Sequence, residues 1–244
     1  MKVGVSLITN PFTQLELNVY QKRTLDILEI SESILLRYGY SKSTIDEIAS
    51  VAKLGKGTIY LHWKSKDELF QALFHKISAE IIYQVLLEVQ KDKSIVHFDK
   101  FISTIYRICY DRELIVALFT KDTKLLGRFI DKKNSSQSQE MKFKSLTNSL
   151  QMYRQYNLVK EDVSIKTQTH TIHMLLIGIF TYDNYIAEDL NINKKVEILE
   201  NIIRNTFVTD TCIKIEDSLY NFILKSLKNL LYFYTDQALN KTIK

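Results

Sequence analysis

Proline is almost missing from this chain of 244 residues: Pro11 is the only one, and glycine occurs six times. Sheet-rich folds spend both residue types on their many turns, so their scarcity excludes a β-dominated architecture and points to an all-α fold. Cysteine is as scarce. Cys109 and Cys212 are too far apart for a C-x-x-C metal pair or a disulfide framework, and they read as buried free thiols in a reducing compartment. Long apolar runs are missing too. The longest clean one, Met174 to Phe180, falls far short of the ~18 residues of a membrane span, and Val3 to Ile8 is too short and interrupted for a signal segment. The expected location is the cytoplasm, with no membrane partner. What is present is ordinary for a globular chain: 45% hydrophobic and 25% charged residues, far from the composition of a disordered one. A net charge of +5 permits nucleic-acid binding without demanding it.

Residues 1–21 carry Pro11 and no helical period, and they read as a flexible arm or irregular lead-in. From Lys22 to Tyr38 the apolar residues Ile27, Ile30, Ile34, Leu35 and Tyr38 recur at steps of three and four, the mark of an amphipathic helix, and Gly39 supplies its stop. Thr44-x-x-Glu47 forms a capping box that opens a short second helix through Ala52. After Lys53, Leu54 and Gly55, a third short helix runs from Lys56 to Trp63. Ser65-x-x-Glu68 is a second capping box, starting a long helix with Leu69, Phe70, Leu73, Phe74, Ile77, Ile81, Val85 and Val89 along one stripe. Polar breaks at 91–94, 131–139, 157–162, 191–193 and 209–214 divide the remainder into helix-sized pieces, about ten helices in all. The division expected is an arm over 1–21, a small domain of short helices over 22–68 and a larger helical domain over 69–244.

Two short helices joined by a tight turn, with a helix before and after, describe a helix-turn-helix unit whose second helix can enter a major groove. In that helix Ile59 and Trp63 are four apart and turn inward. Lys56, Thr58, Tyr60, Leu61 and His62 are left for the outer and flanking faces. Lys56 can reach a phosphate or guanine edge, Thr58 and Tyr60 offer hydroxyls to phosphate, and Leu61 can touch a thymine methyl. Gly57 has no Cβ and lets the helix N-terminus come close to the DNA backbone. Lys66 opposes the dipole of its own helix and makes better sense beside a phosphate; Lys22 and Arg23 follow the same logic. Thr44, at the mouth of the second helix, completes the candidate DNA-contacting set.

Ile27-Leu28-Glu29-Ile30-Ser31, Ile34-Leu35, Gly39-Tyr40, Thr44 to Ala49, Lys56-Gly57-Thr58-Ile59-Tyr60, Trp63 and Lys64 to Leu69 together resemble the DNA-binding domain of the tetracycline-repressor (TetR) family. The resemblance covers about residues 22–70 without a gap, and many residue types agree at fixed spacing. The turn departs from it: Lys53-Leu54-Gly55 stands where the family usually has Gly, a hydrophobic residue and Ser, and a left-handed Lys53 costs roughly 1–2 kcal/mol. The resemblance implies an all-α homodimer with a small N-terminal DNA-binding domain and a larger C-terminal domain that binds a small effector and dimerises. It implies a ligand-responsive repressor released from a palindromic operator on double-stranded DNA. The alternative is a DNA-bound factor that recruits another protein and has no small-molecule effector.

The C-terminal half carries weaker signals. Its many aromatic residues suit a hydrophobic effector, and Tyr106, Tyr110, Phe119, Tyr153, His173 and Phe180 are the candidate pocket residues. His170 and His173, three apart and ahead of Asp183, have helical metal-ligand spacing but fit pocket lining or polar surface better. Val196, Leu199, Ile203 and Phe207 line one helix, and Leu219, Ile223, Leu227, Leu230 and Tyr234 another; these two helices are expected at the dimer interface. Gly178 reads as a close helix crossing. No nucleophile-base pair, phosphate-cradling glycine loop or metal motif is recognisable, so neither an enzyme nor a bound cofactor is expected.

Overall fold

The computed structural model describes residues 10–130, 136–186, 190–209 and 217–239; between 136 and 145 it describes backbone and the side chain of Lys144 only. Cys212 falls outside these residues, as do 131–135 and 210–214 of the predicted breaks at 131–139 and 209–214; from Ser136 the first of these breaks is helical. Eleven α-helices are present among them: α1 (Val19–Lys42), α2 (Ile45–Val51), α3 (Lys56–His62), α4 (Lys66–Lys91), α5 (Phe98–Tyr110), α6 (Glu113–Thr120), α7 (Thr123–Leu126), α8 (Ser136–Gln155), α9 (Ile165–Thr181), α10 (Ile192–Phe207) and α11 (Asp217–Leu239). The only extended pairing described is an isolated bridge between Val159 and Val208. The fold is all-α, and no described helix is long and apolar enough to cross a membrane.

The chain forms two compact units. One gathers Met1–Leu87, Thr123–Phe129 and Leu224–Lys244, the other Glu88–Asp122 and Ile130–Ile223. In the first unit the local chemistry is plain. The Asn18 side chain accepts from the Gln21 amide at 2.9 Å while the Gln21 side chain accepts from the Asn18 amide at 3.1 Å, a reciprocal cap that starts α1 three residues before the expected Lys22. The lead-in is also more ordered than expected: Pro11–Gln14 form a 3-10 turn capped by Asn10, with Phe12 buried. At Gly39 the backbone turns left-handed (φ +72°), and a Cβ there would stand 2.6 Å from the Lys124 carbonyl oxygen. Only glycine fits that position.

Thr44 Oγ1 accepts from the Glu47 amide at 3.1 Å and opens α2. At the other end Lys53 is left-handed (φ +54°), with the Leu54 amide donating to the Ala49 carbonyl at 2.9 Å and the Lys53 amide to that of Ser50 at 3.1 Å. This is the paired Schellman closure, so the turn keeps the geometry glycine would favour and bears the lysine's cost. The Ser65 hydroxyl accepts from the Glu68 amide at 3.2 Å, but the Glu68 carboxylate accepts from Lys64 at 2.7 Å, one residue ahead of the expected box. The whole predicted stripe of α4, Leu69 to Val89, is buried, as are Ile27, Leu28, Leu35, Ile48, Ile59 and Trp63. Each such side chain contributes about 1.5–3 kcal/mol by leaving water.

In the second unit α5 packs on α10, and Asp99, buried, receives the Arg204 guanidinium at 2.7 Å. Leu199, Ile203, Phe207, Leu219 and Ile223 are buried. These residues of the stripes expected at a dimer interface are spent on the chain's own core, as is Leu227 in the first unit, while Val196 and Tyr234 are half-buried and Leu230 is exposed. The apolar residues left outside on α9 and α10 are Met174, Ile177, Ile198 and Ile202. Gly178 is exposed, and a Cβ built on it would meet no atom within 4 Å, so it marks no helix crossing within this chain.

Candidate nucleic-acid interface

The helix-turn-helix is built by α2, the Lys53 turn and α3. Because α3 spans seven residues, its outward face is short: Lys56, Gly57, Tyr60 and Leu61 are exposed and Thr58 half-buried. Leu61 is 73% exposed, a cost tolerated by an apolar side chain in water that a thymine methyl would relieve. Gly57 faces open space. Lys56 Nζ lies 2.9 Å from Asp46 Oδ2 on α2, a hydrogen bond that raises the Lys56 pKa and holds it charged. Asp46 escaped the sequence reading because the pair spans ten positions and two helices. Thr44 is exposed at the mouth of α2, with its hydroxyl already accepting from Glu47. Lys22 and Arg23 are exposed on α1.

Two expected contacts lie elsewhere. His62 is buried, not outward. Its ring stacks on Tyr20 at 4.1 Å with the planes 13° apart, and Nδ1 lies 2.9 Å from Thr24 Oγ1. The reason is helical phase: His62 is three residues after Ile59 and Trp63 four, so they straddle the inward direction that Ile59 sets. Burial pushes the His62 pKa below its ordinary 6.5, and the Arg23 charge adds to this. Lys66 turns back toward α1: Nζ donates to the Tyr40 carbonyl and sits 4.0 Å from the Tyr40 ring centroid. Desolvation lowers its pKa. The Tyr40 hydroxyl donates to Asp67, so the two residues lock the end of α1 to the first turn of α4. In this arrangement Lys66 is half-buried and engaged with the Tyr40 carbonyl and ring.

Of the candidate pocket residues, four come together. Phe119 stacks on Phe180 at 4.2 Å, Tyr106 meets Phe180 edge-on at 4.9 Å, and the Tyr106 and Tyr110 rings are 5.9 Å apart. Tyr110 donates to Asp183 at 2.9 Å, and Lys195, itself buried, donates to Asp183 at 2.6 Å and to Tyr110 at 3.1 Å. The Tyr106 hydroxyl is buried without a hydrogen-bond partner, and burial drives its pKa far up. Tyr153 belongs to another ring group, with Phe98 and Phe101, and donates to the Val96 carbonyl at 2.9 Å. His173 Nδ1 is 2.9 Å from the Thr169 carbonyl. Asp183 serves Lys195, His170 is exposed, and no group of metal-ligating side chains occurs among the described residues.

An N-terminal three-helix unit whose third helix turns an exposed face outward defines a helix-turn-helix. Residues 27–73 match the family described as bacterial regulatory proteins, tetR family. The HTH-type transcriptional regulator YhgD of Bacillus subtilis (strain 168), itself uncharacterised, is 40% identical over 55 residues, 22% of this chain and 29% of that protein. The chain thus aligns over less than a third of the length of the curated relatives it matches. Over longer stretches the likeness is to folds. A transcriptional regulator from Aquifex aeolicus VF5 superposes with a TM-score of 0.54 at 19% identity, covering 75% of this chain and 98% of that one. SmeT, the repressor of the Stenotrophomonas maltophilia multidrug efflux pump SmeDEF, does so with a TM-score of 0.51 at 16% identity, covering 78% and 93%; it has also been solved as a triclosan complex.

Proposed function

We propose that this protein is a ligand-responsive DNA-binding transcriptional regulator of the TetR type, a repressor that leaves a palindromic operator when a small hydrophobic effector binds. The observation that carries the reading is the face of α3, where Lys56, Gly57, Tyr60 and Leu61 stand exposed while Ile59 and Trp63 anchor the helix from behind. A cation, a backbone bare of Cβ and a hydroxyl suit phosphates, and the exposed leucine suits a base edge. In this reading the effector binds at the aromatic cluster of Phe119, Phe180 and Tyr106 in the second half. An effector there acts only by binding the DNA-incompetent arrangement more tightly. Two copies associate through the apolar residues left outside on α9 and α10, and the dimer presents two α3 helices to two half-sites one helical turn apart.

Gly57→Ala tests the DNA reading. Alanine adds no clash and favours the helix by up to ~1 kcal/mol, so the variant melts at the same temperature or higher. It binds a duplex from upstream of its own coding region at least tenfold more weakly, because the new methyl group holds the DNA backbone away. Fluorescence anisotropy over a salt series reads this, with wild-type affinity falling steeply as salt rises. Equal binding by variant and wild type removes α3 from the interface.

A further inference from the structure

We propose that the last turn of α11 is a working part of the DNA-reading unit: Ala238 and Leu239 are positioning residues that hold α3 in its binding orientation. This rests on the DNA reading above and extends it to a stretch of chain some 180 positions from α3.

Three observations meet here. Ala238 and Leu239 are buried to 2% and 3% exposure in one cluster with Phe12, Leu25 and Ala79, flanked by Leu17, Leu231 and Tyr234. Both ends of the described chain therefore close on the same spot. Next, Ala238 and Leu239 line the same shallow crevice as Tyr20, Thr24, His62 and Trp63, one with no room for a water molecule. His62 is the last residue of α3 and Trp63 caps it. One side of that end is held by α1, through the Tyr20 ring and the Thr24 hydroxyl; the other wall of the crevice is α11. Finally, the rings of Tyr234 and His75 are 5.8 Å apart, which seats α11 on α4 a turn before Leu239.

The physical need is clear. An isolated helix shorter than about 12 residues is marginal, so the seven residues of α3 take their orientation wholly from packing. A domain of about 60 residues buries only about 60% of the surface its unfolded chain exposes, so a three-helix unit gains from apolar residues supplied by distant chain. Ala238 and Leu239 supply them at the end of α3 farthest from its N-terminus, where a small loss of support turns into the largest change of tilt.

The test compares full-length wild type with Leu239→Asn, Leu239→Met and Gln237→Ser, the last an exposed neighbour on the same turn. Two readouts are taken: affinity for a 30-base-pair duplex from upstream of the protein's own coding region at fixed salt, and amide hydrogen exchange over residues 56–62. For Leu239→Asn we expect binding at least tenfold weaker and exchange at least tenfold faster over 56–62, with exchange in α5 and α10 unchanged. Leu239→Met restores both to within twofold, and Gln237→Ser leaves both alone. Should Leu239→Asn not fold, Leu239→Ala carries the same comparison. A folded Leu239 variant with wild-type exchange over 56–62 overturns the proposal. If wild type retains no duplex, the DNA reading falls, and the exchange result still decides whether α11 holds α3.

Discussion

His62 carries the reversal with the widest consequence at the scale of single residues. As an outward imidazole it would meet DNA; buried against Tyr20 and bonded to Thr24, it becomes part of the packing that holds the end of α3 to α1. Its pKa is lowered, first by burial and then by Arg23, so the folded chain resists a proton that the unfolded chain accepts. That contribution to stability is complete above the ordinary pKa of 6.5 and is lost as pH falls from there toward the folded pKa. Melting temperature should therefore drop between pH 7 and pH 5 more steeply in wild type than in His62→Gln; parallel curves would show that His62 takes up its proton alike in the folded and unfolded chains. Lys66 teaches a related lesson. A cation in the first turn of a helix is misplaced with respect to the dipole, and a phosphate was one way to explain it. The Tyr40 carbonyl, left open where Gly39 breaks α1, is the partner it found.

At the scale of elements, the two left-handed positions around the helix-turn-helix make opposite predictions. Lys53 closes α2 with a side chain that is exposed and bears the left-handed cost, so Lys53→Gly should raise stability by about 1 kcal/mol, read from the urea midpoint. Gly39→Ala should lower it by more than about 2 kcal/mol, since strain adds to an overlap with the Lys124 carbonyl that only backbone movement can relieve. Similar losses or gains at the two sites would mean that the turn relaxes on substitution. The capping residues of α2 and α4 were readable because a cap involves atoms three positions apart, whereas the Asn18–Gln21 cap of α1 fell in a stretch read as an irregular lead-in. The exact partner was less so: Glu68 reaches Lys64 and not Ser65, a choice between neighbouring amides that spacing alone leaves open.

For the whole molecule, the decisive matter is which apolar faces the chain keeps for itself. Leu199, Ile203, Phe207, Leu219 and Ile223 disappear inside one unit, while Met174 and Ile177 on α9 and Ile198 and Ile202 on α10 stay in water. Gly178 leaves bare backbone between Met174 and Ile177 on one side and Thr181 on the other, where a neighbouring helix can approach closely. These residues are offered as the subunit contact, and Ile177→Glu combined with Ile198→Glu should convert a dimer to a folded monomer in sedimentation velocity at micromolar concentration. An unchanged dimer would move the contact elsewhere, with the exposed Phe222 and Phe233 of α11 the next face to test.

The all-α class, the helix-turn-helix, the caps and the buried stripe of α4 were legible in the residues themselves. Propensity, capping and amphipathic period act over about four positions, and the chain carries them wherever it goes. What only the tertiary structure decided was allocation: which of several equally apolar faces turned inward, that His62 and Lys66 serve the joint and not the surface, and that Leu239 lies beside the end of α3. Those outcomes depend on contacts between residues tens to hundreds of positions apart, where an amphipathic face records that a partner exists and nothing about which partner it is.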